Sequence, residues 1–264
     1  MTKQAERTGS IEPTGSIDAR EIAGFAAVAD QWWDAAGPFR PLHRLNPVRL
    51  GYIREVLAAH FGLPDTDRPL AGLEIADIGC GGGLICEPLA RMGATVTGVD
   101  AAPEALAVAR AHAAGAGLDI NYVESTAEAL AAEGRRFDAV MALEIVEHVA
   151  DRTAFVADCC RLVKPGGSIV MSTLNRTPRA FALAIVGAEY LLGWVPRGSH
   201  RWKKFVRPAE LARDLRLAGA RTSNVSGLVY DPLGDRWFRS DDVAVNYILH
   251  AALDVCATGP DARI

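Results

Sequence analysis

Leu73-Glu74-Ile75-Ala76-Asp77-Ile78-Gly79-Cys80-Gly81-Gly82-Gly83 reads as an apolar strand that ends in a glycine-rich turn. An apolar helix, Leu84 to Arg91, opens directly after it. A turn without Cβ atoms lets a ligand approach the backbone closely. The helix start adds free N–H groups and a positive dipole end. The pair predicts a site for a small, partly anionic cofactor.

Outward from this stretch the chain alternates strand and helix. Ala94–Val99, Ile120–Val123, Phe137–Leu143 and Ser168–Thr173 read as strands. Pro103 to about Ala113, Ala127–Glu133 and Thr153–Val163 read as helices, and Lys164-Pro165-Gly166-Gly167 as a turn. This rhythm predicts an α/β fold, a parallel sheet with helices on both faces. On the N-terminal side, residues 1–16 read as a disordered tail and 17–66 as a helical cap. Asp18 and Glu21 form a capping-box pair, and Ile22, Phe25, Val28 and Trp32 recur at helical spacing. Asp34–His43 reads as irregular, and Asn46-Pro47 as the cap and first residue of a second helix. On the C-terminal side, residues 67–264 hold the main domain, 175–207 interrupt its rhythm, Pro208–Leu217 is a helix, and Gly227–Tyr230 and Val243–Leu249 are strand-like.

The whole chain has 264 residues, half of them hydrophobic, which is ample for a core. A formal net charge of -4 offers no general attraction to nucleic acid. Five cysteines show no metal-ligand spacing and read as buried thiols. No signal core or membrane span is read in the sequence, so a cytoplasmic protein is expected.

The cofactor is narrowed by what the turn lacks. Gly79 and Gly81 match a dinucleotide fingerprint, but its third glycine is Leu84. Asp100 ends the next strand, 21 residues after Gly79, where a carboxylate can accept two hydrogen bonds from a ribose diol. A nucleoside with an amino-acid tail fits better than a dinucleotide. Asp77-Ile78-Gly79-Cys80-Gly81-Gly82-Gly83, Val99-Asp100 and Leu162-Val163-Lys164-Pro165-Gly166-Gly167 resemble the class I S-adenosylmethionine-dependent methyltransferases. The resemblance implies a Rossmann-like sheet with Gly79 and Gly81 at the methionine part of S-adenosyl-L-methionine and Asp77 among the cofactor-binding residues. It further implies Asp100 on the ribose and Leu143 lining the adenosyl pocket. Where members often carry an acidic residue near the adenine, this chain has Thr126, which leaves the adenine contacts open.

Segments outside the core select the acceptor. Trp32-Trp33-Asp34, Pro41 to Ile53, Glu144-Ile145-Val146-Glu147-His148-Val149, Ser172 to Arg176, Val186 to Tyr190, Lys203-Lys204-Phe205 and Asn246 to His250 together resemble the ubiquinone biosynthesis O-methyltransferases. That likeness implies a polyprenylated hydroxyphenol or demethylubiquinol as acceptor, with other ubiquinone-pathway enzymes as partners. It implies that Arg49 contacts the cofactor, whose carboxylate a guanidinium can grip. Glu144, Glu147 and His148 follow the fourth strand at its carboxyl end, where open α/β sheets bind ligands. They suit a general-base role. If 144–148 is helical they share a face, and the likeness then implies a set for Mg²⁺ or another divalent cation, which would lower the acceptor's pKa. Methyltransferases of the same fold for another small acceptor, and a cofactor-binding scaffold without turnover, are the competing readings.

Phe181 to Val195 is apolar except at Glu189 and is followed by Arg197, His200, Arg201, Lys203, Lys204 and Arg207. An apolar helix beside a basic cluster predicts a lid over 178–205 that touches the inner face of a membrane, where a polyprenyl substrate resides.

Overall fold

The computed structural model describes residues 28–183, 185 and 201–254. The expected tail, the helix expected from Ile22 and its capping pair, and most of the apolar and basic insertion lie outside the described residues. Helix α1 (Arg40–Phe61) leads into β1 (Glu74–Ile78), α2 (Cys86–Arg91), β2 (Thr95–Asp100), α3 (Pro103–Gly115), β3 (Asn121–Glu124), α4 (Ala127–Ala132), β4 (Phe137–Leu143), α5 (Arg152–Arg161) and β5 (Val163–Leu174). Helix α6 (Pro208–Leu217), the hairpin β6 (Ala220–Asp231)–β7 (Arg236–Ser240) and β8 (Asn246–Leu253) follow. They form one eight-stranded sheet in the order β3-β2-β1-β4-β5-β8-β6-β7. Strands β1 to β5 pair in parallel. Strand β8 is antiparallel to both β5 and β6.

The central strands are apolar because both of their faces are covered. On β4, Val140 and Ala142 enter one core, with Leu130 of α4, Phe155 and Val156 of α5 and Leu211 and Leu215 of α6. Ala139 and Met141 enter the other, with Ile53 and Leu57 of α1, Leu89 of α2 and Leu106 of α3. Each fully buried large side chain stabilises the fold by about 1.5–3 kcal/mol. The Lys164–Gly167 turn lies within β5 as a register shift, since Phe137 faces Val163 and Ala139 faces Ser168. Lys164 Nζ ties the turn to Glu74 at 2.6 Å and Asp138 at 3.0 Å.

Three local expectations are corrected. Helix α1 starts at Arg40, with Pro41 in the first turn, where its missing N–H costs nothing. Pro47 therefore lies inside the helix, and Asn46 is a buried side chain that accepts from Arg49 rather than a cap. Residues 144–148 form a turn, not a helix, and Glu144 has a left-handed backbone with φ 53°. Strand β7 was not expected. Arg236-Trp237-Phe238-Arg239-Ser240 has no apolar alternation, and its pairing is set by a hairpin tip where Asp231 accepts from the N–H groups of Leu233 and Gly234.

Candidate active site

The glycine turn is anchored from β2. The N–H groups of Gly79 and Cys80 both donate to Val99 O, at 2.8 and 3.1 Å. Gly81 N donates to Asp100 Oδ2 at 2.8 Å, and Ala102 N to Oδ1 at 2.9 Å. Each Asp100 oxygen keeps a lone pair for a diol. Burial raises the Asp100 carboxyl above its ordinary range, against the pull of these backbone bonds. Gly79, Gly81 and Gly83 have φ of 73°, 53° and 85°, values that suit glycine.

Two side chains lie against the turn. A Cβ on Gly79 would fall 2.3 Å from Ile145 Cδ1, and one on Gly81 2.5 Å from the Trp32 ring. Trp32 is flat across Gly81 and Gly82, and its ring stacks on Phe39 with centroids 3.7 Å apart. Trp33 Nε1 donates to Gly82 O at 2.9 Å, and its ring stacks on His112 at 3.5 Å. His112 in turn meets the buried Glu87 at 2.6 Å. The Trp32-Trp33 pair thus straps the turn, a role that no periodicity in the sequence reveals.

Asp77, next to last in β1, is buried and accepts from Cys86 Sγ at 3.2 Å. Desolvation pushes its carboxyl up to about 7; the Cys86 bond opposes this, Asp100 adds to it, and Arg49 opposes it. Arg49 projects from α1 with 2% exposure. Its Nη1 donates to Asn46 Oδ1 at 3.3 Å, and Nη2 lies 2.6 Å from Glu144 Oε1. Neither Nη2 nor Nε is aligned with any acceptor, so the Glu144 contact is an ion pair by distance without a directed hydrogen bond.

Glu144 is held from β5 and β8 as well. Ser172 Oγ donates to its Oε1 at 2.7 Å, and Asn246 Nδ2 lies 3.4 and 3.3 Å from its two oxygens. Glu147 turns inward, where Thr173 Oγ1 donates to it at 2.6 Å. Burial, reinforced by the charge of Glu144, raises Glu147 to about 8, against the Thr173 bond and Arg49. His148 is partly exposed on the same turn. Among the described residues no three His, Cys, Asp or Glu side chains are placed to hold a metal ion. At 144–148 the reason is the turn, which breaks the helical spacing on which a shared face depends.

The expected cofactor residues Arg49, Asp77, Gly79, Gly81, Asp100 and Leu143 lie on α1 and at the carboxyl ends of β1, β2 and β4. A glycine-rich turn with left-handed backbone, a diol-ready carboxylate and a buried guanidinium with undirected N–H groups fit a nucleoside that carries a carboxylate. Thr126, at the place linked to the adenine, is spent as the cap of α4, accepting from Ala129 N at 3.1 Å. Ser172, Thr173 and Asn246 carry no role in the sequence reading. The one available signal is a polar pair, Ser172-Thr173, closing the apolar run of β5 on the ligand side of the sheet.

Residues 76–171 match a family described as a methyltransferase domain. The ubiquinone biosynthesis O-methyltransferase of Methylobacterium sp. (strain 4-46) is 56% identical over 241 residues, 90% of this chain and 97% of that one. The mitochondrial ubiquinone biosynthesis O-methyltransferase of Arabidopsis thaliana is 49% identical over 254 residues, 94% of this chain and 78% of that one. Among solved structures, magnesium protoporphyrin IX methyltransferase from Synechocystis PCC 6803 with bound SAH aligns with a TM-score of 0.55 at 20% identity. That alignment covers 86% of this chain and 99% of that one. It shows a shared fold.

Proposed function

The chain belongs to the ubiquinone biosynthesis O-methyltransferase family, and on that premise we propose that it moves a methyl group from S-adenosyl-L-methionine to a hydroxyl of a polyprenylated hydroxyphenol or demethylubiquinol. The observation that carries this reading is the juxtaposition, at the carboxyl ends of the central strands, of Arg49, set to grip a carboxylate, with Glu144, a carboxylate held by hydrogen bonds from Ser172 and Asn246 and paired with Arg49.

When bound, the cofactor supplies an electrophilic methyl group on a sulfonium, with a neutral thioether as leaving group. The chain supplies alignment, which converts an encounter into a near-attack geometry. Gly79 and Gly81 let the turn close under Ile145 and Trp32, Asp100 accepts from the ribose hydroxyls, Leu143 borders the adenosyl part, and Arg49 holds the carboxylate. Asp77, whose carboxyl burial raises to about 7, lines the same end of the site from β1. A free phenol has a pKa of about 10, so the acceptor must lose a proton as its oxygen attacks. The new C–O bond forms as the S–C bond breaks, and the hydroxyl proton passes to Glu144, or to His148 on the same turn. General-base assistance of this kind contributes about 10²–10⁴-fold. Glu147 lies buried behind Glu144, held by Thr173 and raised toward neutrality.

The proposal includes a membrane contact through 178–205. Phe181 and Leu183 are 45% and 53% exposed, Trp202 packs edge-on against Phe181, and Arg201 and Lys203 are exposed beside them. This apolar and basic pairing suits an anionic bilayer surface. No helix among the described residues is long and apolar enough to cross a membrane. Liposome flotation tests the contact: replacing Phe181, Leu183 and Trp202 by Ser should abolish flotation on anionic vesicles, and unchanged flotation would remove it. The transfer itself is tested with methyl-labelled S-adenosylmethionine and a short-chain polyprenyl catechol. Label should appear in the extracted acceptor, and cofactor binding without transfer would favour a scaffold.

A further inference from the structure

Arg49 is unfinished where it stands. A guanidinium carries five N–H donors, and leaving buried donors unmet costs about 1–3 kcal/mol. Here Nη1 has a directed partner, Asn46, whereas Nη2 and Nε have none, although Nη2 touches Glu144 at 2.6 Å. The charged groups that act on it are Glu144 and Glu147 from the turn after β4, and Asp77 from β1. Glu144 is the opposite case. Ser172 and Asn246, both neutral, donate to it besides the guanidinium. Its left-handed backbone, costly for a residue with a side chain, is of the kind that persists only where the surroundings hold it. Glu144 therefore keeps its place when Arg49 is drawn away, and Arg49 has N–H groups to offer a second anion.

We propose that Glu144 is a built-in competitor for Arg49, which pairs with Glu144 before the cofactor binds and is drawn onto the cofactor's carboxylate afterwards, so that Glu144 is released to act on the acceptor only when the methyl donor is in place. This rests on the reading of Arg49 as the grip on the cofactor's carboxylate. It makes Glu144 an antagonist of cofactor binding as well as an aid to transfer. Linkage requires the two effects to be reciprocal: what Glu144 gains from Arg49, the cofactor must overcome. Binding is then ordered, cofactor before acceptor.

The test is calorimetric titration of S-adenosylhomocysteine and of its decarboxylated analogue into the wild type, Glu144→Gln and Glu144→Asp. Gln keeps the shape and can still accept from Ser172. Asp keeps the charge but withdraws it from Arg49 by a methylene. Both variants should bind S-adenosylhomocysteine about tenfold more tightly, within the usual range of coupling between sites. Their affinity for the decarboxylated analogue should stay at the wild-type value, while methyl transfer slows. Unchanged or weaker S-adenosylhomocysteine binding in either variant with wild-type melting behaviour overturns the proposal, as does equal tightening of both ligands. If these overturning results accompany normal transfer by the wild type, the methyltransferase reading stands and the competition alone falls. A wild type that does not bind S-adenosylhomocysteine removes both.

Discussion

Gly81→Ala tests the strap across the turn. Gly81 has φ 53°, where a residue with a Cβ is strained by roughly 1–2 kcal/mol. The new Cβ would lie 2.5 Å from Cη2 and Cζ2 of Trp32. Trp32 cannot swing aside cheaply, because it is 8% exposed and stacked on Phe39. Overpacking at such a site costs about 1–3 kcal/mol, so the total is about 2–5 kcal/mol. Gly117→Ala is the control, with φ 68° and nothing within 4 Å of its Cβ. It should lose only the backbone part, roughly 1–2 kcal/mol. Denaturant unfolding of both variants, of Trp32→Ala and of the Trp32→Ala/Gly81→Ala pair gives the coupling directly. Gly81→Ala should cost about 1–3 kcal/mol more than the control, and the excess should vanish once Trp32 is gone. Equal losses at Gly81 and Gly117, or an excess that persists without Trp32, would refute the placement of Trp32 on the turn.

Other expectations follow from single groups. The raised carboxyl of Glu147 favours its protonated form in the folded chain, so its contribution is present below the ordinary value of 4.5 and is lost as pH rises through about 8. Glu147→Gln should therefore melt above the wild type at alkaline pH, with the gap closing toward pH 4.5, a trend that a melting series against pH reads. His250, between Ser168 Oγ at 2.7 Å and Ser223 Oγ at 2.5 Å, is lowered from 6.5 to about 4 by burial and then by His60. Its neutral form supports the fold above pH 6.5, and that support should fade as pH falls toward 4, a slope that His250→Gln removes in the same series. Tyr52→Phe deletes the donor to Asn224 Oδ1 at 2.9 Å in a fully buried residue and should cost about 1–3 kcal/mol in urea unfolding. Arg49→Lys should weaken S-adenosylhomocysteine by about tenfold in a binding titration, since an ammonium cannot reproduce a bidentate grip.

The sequence was most legible where one local rule governs. Phe137–Leu143 and Pro208–Leu217 have the spans read from periodicity and proline placement. The glycine turn and Asp100 were readable because strand, turn and spacing agree. Asn46-Pro47 misled because its capping chemistry is real in isolation, while burial against Arg49 gives the side chain another use. The 144–148 turn was hidden because a left-handed Glu has no sequence mark; tertiary donors from Ser172, Asn246 and Arg49 hold it. Strand β7 was hidden because edge pairing is decided by the hairpin tip and by contacts from α1, such as the ion pair of Glu55 with Arg239. The Trp32-Trp33 strap depends on contacts from Trp33 to Gly82, 49 residues away, and to His112 farther still, which no window of sequence contains.

On the proposed reading the methyl group leaves the turn at Gly79–Gly81 for an oxygen beside Glu144. The most direct measurement is product identification by nuclear magnetic resonance after turnover with S-adenosylmethionine carrying a carbon-labelled methyl group and a short-chain polyprenyl catechol. A single labelled methoxy signal on the catechol ring is expected, lost when Asp100 is replaced by Ala. Label on a ring carbon, or an unlabelled acceptor despite saturating cofactor, would contradict that reading.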